Sequence, residues 1–186
     1  MIKIAEGWHS EIFLTEKGTI IKRFKQGLVK NFHKECYFLR KLQDYDFVPR
    51  LLGCYPESLE VEMEYIKGVT FGDVVKSENA LRIRSIILKI LDILYLLDIS
   101  GIQKEELNRP HKHIIISGDR IVLIDWERAK ETDRPSNVTQ FLSFLINCKG
   151  LNKKGIPKSK ESILELSKEY KINYSKEILD KIKSMI

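Results

Sequence analysis

At Lys67–Gly68 the apolar periodicity of this 186-residue chain changes, and that change constrains the fold more than any other feature. Before it, Leu59, Val61, Met63 and Tyr65 alternate with Glu60, Glu62 and Glu64. That two-residue period describes a half-buried strand with an acidic outer face. After it, Ile83, Ile86, Ile87, Ile90, Leu91, Leu94 and Leu97 recur at the spacing of a helix with one apolar face. The chain therefore reads as α+β, with a sheet-rich domain over 1–67 and a helical domain over 68–186.

The first domain carries strand patterns at Lys3–Ala5, Ile12–Thr15, Thr19–Phe24, Leu51–Tyr55 and Leu59–Ile66. One helix interrupts them at Leu28–Leu42, with Leu28, Phe32, Cys36, Leu39 and Leu42 close to one face. In the second domain Thr70 caps a short turn, Thr70–Lys76, with Asp73 three residues on. Helices follow at Asn79–Leu97, Asn137–Cys148, Lys160–Ile172 and Tyr174–Ile186, the last capped by Ser175. A basic loop with Gly150, Gly155 and Pro157 separates the second and third of these.

A charged fraction of 31% beside a hydrophobic fraction of 43% fits a folded, ordinary domain. The net charge of +6 favours an anionic partner, and its sign alone does not choose among nucleotide, nucleic acid and membrane surface. Lysines thicken between Lys149 and Lys160, a run that reads foremost as a solvated face. Arg84, Lys89 and Asp92 break the apolar stretch Ile83–Leu97, which makes it too short and too charged to span a bilayer. The opening MIKIAEGW lacks the n-region and h-region of a signal peptide. Cys36, Cys54 and Cys148 are far apart and form no CxxC pair, so they read as buried thiols in a reducing compartment. No histidine pair has HExxH spacing, which argues against zinc. These features together predict a cytoplasmic protein.

Chemistry-bearing residues concentrate between Gly101 and Glu127. Glu105 and Glu106 precede a basic, histidine-rich turn of Arg109, His111, Lys112 and His113. Two short β-runs, Ile114–Ile116 and Ile121–Ile124, follow around the hairpin signal Ser117–Arg120, and Asp125 stands where the second run ends. Such a group is either a solvated loop before an ordinary hairpin or a site, because buried polar groups need partners. Earlier in the chain, Gly7 and Ser10 occupy a turn between strands whose backbone N–H groups could approach a phosphate, with the unusual neighbours Trp8 and His9. Lys22, on the third strand, lies thirteen residues before Glu35 on the helix. An amine and a carboxylate facing each other could hold a nucleotide diphosphate.

The order of these parts resembles the eukaryotic-like protein kinase superfamily over roughly residues 4–145. The parts are a glycine turn, a strand lysine, a helix glutamate, Met63–Glu64–Tyr65–Ile66, a long helix, a catalytic-type loop, a hairpin and Asp125. The nearest likeness is to its reduced atypical members: RIO-like kinases, small archaeal kinases and lipopolysaccharide-kinase-like proteins. The resemblance implies a compact two-lobed kinase-like fold with a reduced helical C-lobe, binding ATP with Mg2+ or Mn2+. It implies that Gly7–Ser10 is the phosphate loop, that Lys22 contacts the phosphates and that Glu35 pairs with Lys22. By the same resemblance Met63 is the gatekeeper, Glu64–Ile66 is the hinge for the adenine edge, and Asp125 is the metal ligand, with Trp126–Glu127 in place of Phe–Gly.

The loop departs from the family's His-x-Asp pattern. His113 falls where the metal-binding Asn belongs, and counting back five residues reaches Asn108, which cannot accept a proton from a hydroxyl. Imidazole could bond phosphate or water, and suits Mg2+ less well than oxygen donors do. Aligned from Gly101–Ile102, Glu106 takes the catalytic aspartate's place in a loop two residues longer. Glu105, or no base at all, remains open. Arg109, Lys112 and His113 would stabilise charge on the transferring group. Little chain separates Asp125 from the next helix, so a complete peptide groove is not expected. The acceptor would be a docked protein or a small molecule. Two other readings compete: an inactive or ATPase-like, nucleotide-gated partner of a protein or ribonucleoprotein, and an RNA- or protein-binding module.

Overall fold

The computed structural model describes all residues from Met1 to Ile186. In chain order the elements are β1 (Ile2–Glu6), β2 (Ser10–Leu14), β3 (Thr19–Phe24), α1 (Val29–Lys41), β4 (Leu51–Tyr55) and β5 (Glu60–Glu64). Then come β6 (Val69–Thr70), α2 (Phe71–Ser77), α3 (Ala80–Ile99), β7 (Ile102–Gln103), a 3-10 turn at Pro110–Lys112, β8 (Ile114–Ser117), β9 (Arg120–Leu123) and β10 (Lys130–Glu131). The helices α4 (Asn137–Asn147), α5 (Lys149–Asn152), α6 (Lys160–Asn173) and α7 (Lys176–Ser184) complete the chain. It divides into two compact units: Met1–Gly68 with Ser117–Ala129, and Val69–Ile116 with Lys130–Ile186. The first boundary lies one residue from the expected one. The segment Ser117–Ala129, placed by sequence in the second domain, groups with the first, and Asp125 goes with it.

The first unit is a five-stranded antiparallel sheet of order β1-β2-β3-β5-β4. Pairing of Lys22 with Val61 and of Ile20 with Met63 fixes the register of its centre. In β3 and β5 the two-residue period puts Ile20, Lys22, Phe24, Val61 and Met63 in the interior and leaves Glu60, Glu62 and Glu64 half-buried. Helix α1 buries Phe32, Cys36 and Leu39, as its spacing predicts, and also Glu35 and Phe38. Trp126 is fully enclosed, donates its indole N–H to the Leu123 carbonyl at 2.9 Å and stacks on Phe38. Arg120 anchors the start of β9 by forking onto Glu64 (2.6 and 3.1 Å) and by donating to the carbonyls of Asp46 and Val48.

Cys36 and Cys54 form a disulfide between α1 and β4, with Cα atoms 6.3 Å apart. This overturns the reading of both as free thiols. The chain turns back after α1 so that β4 runs beside the helix, an adjacency their separation of 18 residues does not reveal. A bonded pair also removes the ground for assigning a reducing compartment. Cys148 is free and half-buried.

In the second unit α3 buries all seven of its predicted apolar residues, and the Asn79 side chain caps it by accepting from Arg82 N at 2.9 Å. At its far end Asp98 is buried and accepts from Asn137 N (2.9 Å), Asn137 Nδ2 (2.8 Å), Val138 N (3.2 Å) and the Tyr170 hydroxyl (3.0 Å). It thereby satisfies the first N–H groups of α4, which lack partners within the helix. Asn137 in turn donates to the Ile102 carbonyl and accepts from Lys104 N, fixing the chain where the loop after β7 begins. The expected basic loop after α4 contains the short helix α5, because burying Leu151 closes a helical turn there. No helix is long and apolar enough to cross a membrane.

Candidate functional site

The site in the first unit is built around the Lys22 amine. Strand β3 points Lys22 inward, and α1 presents Glu35 one residue before the disulfide. Lys22 Nζ lies 3.1 Å from Glu35 Oε2, 2.8 Å from Asp125 Oδ1 and 3.1 Å from Glu127 Oε2. The amine also lies over the Phe24 ring, 4.8 Å from its centroid. The side chains of Lys22, Glu35 and Glu127 are 7%, 1% and 6% exposed, whereas Asp125 is 31% exposed. Glu35 Oε2 also accepts the backbone N–H of Trp126 at 2.9 Å. Glu127 Oε1 meets His9 Nδ1 and the Asn31 side-chain amide, the latter at 3.5 Å.

Burial opposes the charged form of Lys22, but Glu35, Asp125 and Glu127 outweigh it and hold the amine's pKa above its ordinary value. Burial pushes the Glu35 carboxyl upward, and the Lys22 charge opposes that push. Asp125 adopts a left-handed backbone, φ 67°, as does Glu106 in the second unit, φ 71°. Non-glycine residues rarely take this conformation, and where they do the strain is often tied to a site.

The chain matches no protein-family model and no curated protein. The assignment of a role therefore rests on the residues and their geometry.

The structure brings together Lys22, Glu35 and Asp125, three of the residues that the sequence singles out. It adds Asn31, which was not expected in the site, and gives contacts to His9, inside the expected phosphate loop Gly7–Ser10, and to Glu127, beside Asp125, neither of which had been given a role. The unusual turn Trp8–His9 and the Trp126–Glu127 dipeptide were the available signals, but His9 and Glu127 are 118 residues apart and no spacing rule joins them. Gly7 donates its N–H to the Ser10 carbonyl at 2.8 Å in the β1–β2 turn, and Ser10 is buried. An added Cβ at Gly7 would meet only Ser10 O, at 3.8 Å, and its φ lies outside the left-handed region, so the turn itself does not require glycine. Trp8, next in the turn, is 93% exposed. Met63 and Ile66 are buried and Tyr65 is exposed. Glu64 turns its carboxylate to Arg120 and donates its N–H to the Arg50 carbonyl at 2.9 Å. A hinge role would therefore leave the Glu64 carbonyl and the neighbouring backbone for a base edge.

Within the second unit, His113 Nε2 lies 3.5 Å from Glu106 Oε2. Glu105 instead pairs with Lys130 at 2.8 Å. Asn108, Arg109 and Lys112 are exposed, and the Arg109 N–H closes a turn onto the Glu106 carbonyl.

The carboxylates of the first unit converge on the Lys22 ammonium, and a divalent cation could be held by those that turn away from it. One carboxylate oxygen from each of Glu35, Asp125 and Glu127 lies within 4.8 Å of the others, and oxygen is the ligand that Mg2+ and Mn2+ prefer.

Proposed function

We propose that the chain is an ATP-dependent phosphotransferase of the atypical serine/threonine kinase type, with a two-lobed kinase-like fold. The observation that carries the reading is the Lys22 amine in contact with Glu35 and Asp125, residues 13 and 103 positions away in sequence. Those are the two carboxylates that the resemblance assigns to holding the lysine and to placing the metal.

In this reading Lys22 supplies positive charge to the phosphates and Glu35 fixes the amine's position. The Gly7 N–H is taken by the Ser10 carbonyl, so the turn Gly7–Ser10 offers only its other backbone N–H groups to the same phosphates. Asp125, the most exposed carboxylate of the group, would be the residue to hold Mg2+ or Mn2+, and a bound divalent ion would neutralise charge developing on the transferring group. Met63 to Ile66 line the base. Glu106 orients or deprotonates the acceptor hydroxyl, with Asn108, Arg109, Lys112 and His113 around it, and the acceptor is a partner protein. Assignment of the base rests on sequence order. One observation favours a second reading, in which nucleotide binds without transfer: Glu106 and His113 already face each other at 3.5 Å, which would occupy the base. The partner would then be gated by nucleotide and could include a nucleic acid.

Calorimetry with ATP and Mg2+ on wild type and Asp125→Ala tests the nucleotide site, and transfer of labelled γ-phosphate by wild type and Glu106→Gln tests the chemistry. Binding that depends on both metal and Asp125, and transfer lost in Glu106→Gln, are expected. Binding indifferent to metal and to Asp125 would refute the proposal. Tight binding with no transfer to any acceptor would favour the second reading.

A further inference from the structure

We propose that Glu127 makes the Lys22 site selective for phosphates that arrive already complexed with a divalent cation. The inference rests on the nucleotide reading above and adds the residue that sets its selectivity.

Three carboxylates contact the Lys22 amine and His9 contacts one of them, so with the carboxylates ionised and the imidazole neutral they outnumber the amine's charge by two. They are not equivalent. Asp125, 31% exposed, is the one that can turn toward a ligand. Glu35 is held by the Trp126 N–H, and Glu127 by His9 and Asn31; both are almost completely enclosed. Even with Asp125 swung out to solvent, the amine still faces two fixed carboxylates and keeps no net positive charge for a bare phosphate. In a water-poor interior that imbalance acts strongly at contact distances. A phosphate bearing Mg2+ brings its own compensating charge and escapes the penalty. A lone Lys22–Glu35 pair would be neutral and could hold either form, so Glu127 is the residue that discriminates. His9 and Asn31 keep its carboxylate aimed at the amine.

Calorimetry with ATP, once in excess Mg2+ and once in EDTA, tests this on wild type, Glu127→Gln, Glu127→Gly and Glu127→Asp, with melting curves confirming each fold. From one unit charge at contact distance, the wild type should bind ATP about 100-fold more weakly in EDTA. Either neutral variant should narrow that gap about tenfold or more by binding metal-free ATP more tightly. The Asp variant, which keeps the charge, should retain the gap. Equal loss of affinity in both conditions in the neutral variants would overturn the inference in favour of a purely structural Glu127, and so would an unchanged gap. Wild type binding ATP equally well with and without Mg2+ would overturn the selectivity, and the nucleotide reading would stand only if that binding still required Asp125. Binding in neither condition would overturn that reading itself.

Discussion

Replacing Lys22 by Met should destabilise the first unit by an amount set largely by the abandoned Glu35 carboxylate. Methionine matches the length of the lysine stem and fills the same space without charge. Glu127 keeps His9 and the Asn31 amide near it, and Asp125 can turn to solvent. Glu35 keeps the Trp126 N–H but is 1% exposed and loses the charge that opposes its desolvation. Its least costly response is to bind a proton. From an ordinary value of 4.5, holding it neutral near pH 7 costs about 2.5 pH units at about 1.36 kcal/mol each, or about 3.4 kcal/mol, an upper bound on the change because burial already raises Glu35 with Lys22 in place. That agrees with the roughly 3–5 kcal/mol expected when one partner of a buried ion pair is removed.

The same argument fixes a pH dependence. In the variant the folded-state pKa of Glu35 lies above its unfolded value. Its contribution to stability is therefore complete below about pH 4.5 and is lost as pH rises toward the folded value. The penalty of Lys22→Met should fall from at most about 3.4 kcal/mol near pH 7 to at most about 0.7 kcal/mol near pH 5. Urea denaturation followed by the fluorescence of Trp126, which is enclosed in the same unit, measures this, while the exposed Trp8 reports little of the transition. Adding Glu35→Gln to Lys22→Met should recover most of the loss near pH 7. A penalty that is independent of pH, or a double variant no more stable than the single one, would refute the account.

Two further perturbations address packing away from the amine. Opening the Cys36–Cys54 bridge with dithiothreitol, or replacing Cys54 by Ser, releases a constraint across 18 residues and should cost about 3 kcal/mol in urea denaturation; an unchanged midpoint would mean that the bridge adds nothing to stability. Tyr170→Phe removes the hydroxyl that donates to buried Asp98 at 3.0 Å and should cost about 1.5–3 kcal/mol in the second unit, with a loss below about 0.5 kcal/mol contradicting the assigned contact.

What the sequence made legible follows from the range of the interactions involved. Strands and helices with clear periods, such as β5 and α3, were found to within a few residues because burial on one face is written locally. Side-chain caps at Thr70, Asn79 and Ser175 were equally local, although only Thr70 and Ser175 were named in advance as caps. The two-residue strands β6, β7 and β10 escaped, since no pattern of that length rises above chance. The disulfide, the Asp98–Asn137 hub and the His9–Glu127 contact escaped for another reason: each joins residues whose proximity is created by the fold. Lys22, Glu35 and Asp125 were reached only through the order of parts along the whole chain, because composition and spacing alone make each an ordinary surface residue.

The placement of the charges bears on why such a group should exist at all. Two carboxylates and an amine that are each more than nine-tenths enclosed carry a desolvation cost, and an apolar cluster of similar volume would be at least as stable. Asp125 adds a left-handed backbone that a non-glycine residue adopts at a cost, at the one carboxylate of the group with access to solvent. Charge and strain thus coincide at residues that a sequence selected for stability alone would have made apolar or glycine. Natural proteins tolerate such costs where activity requires them. The Glu35→Gln rescue described above separates the two demands, because it restores stability to a unit that has lost the amine. A Lys22→Met/Glu35→Gln protein that folds well and holds no nucleotide would place the cost of the cluster on the side of function.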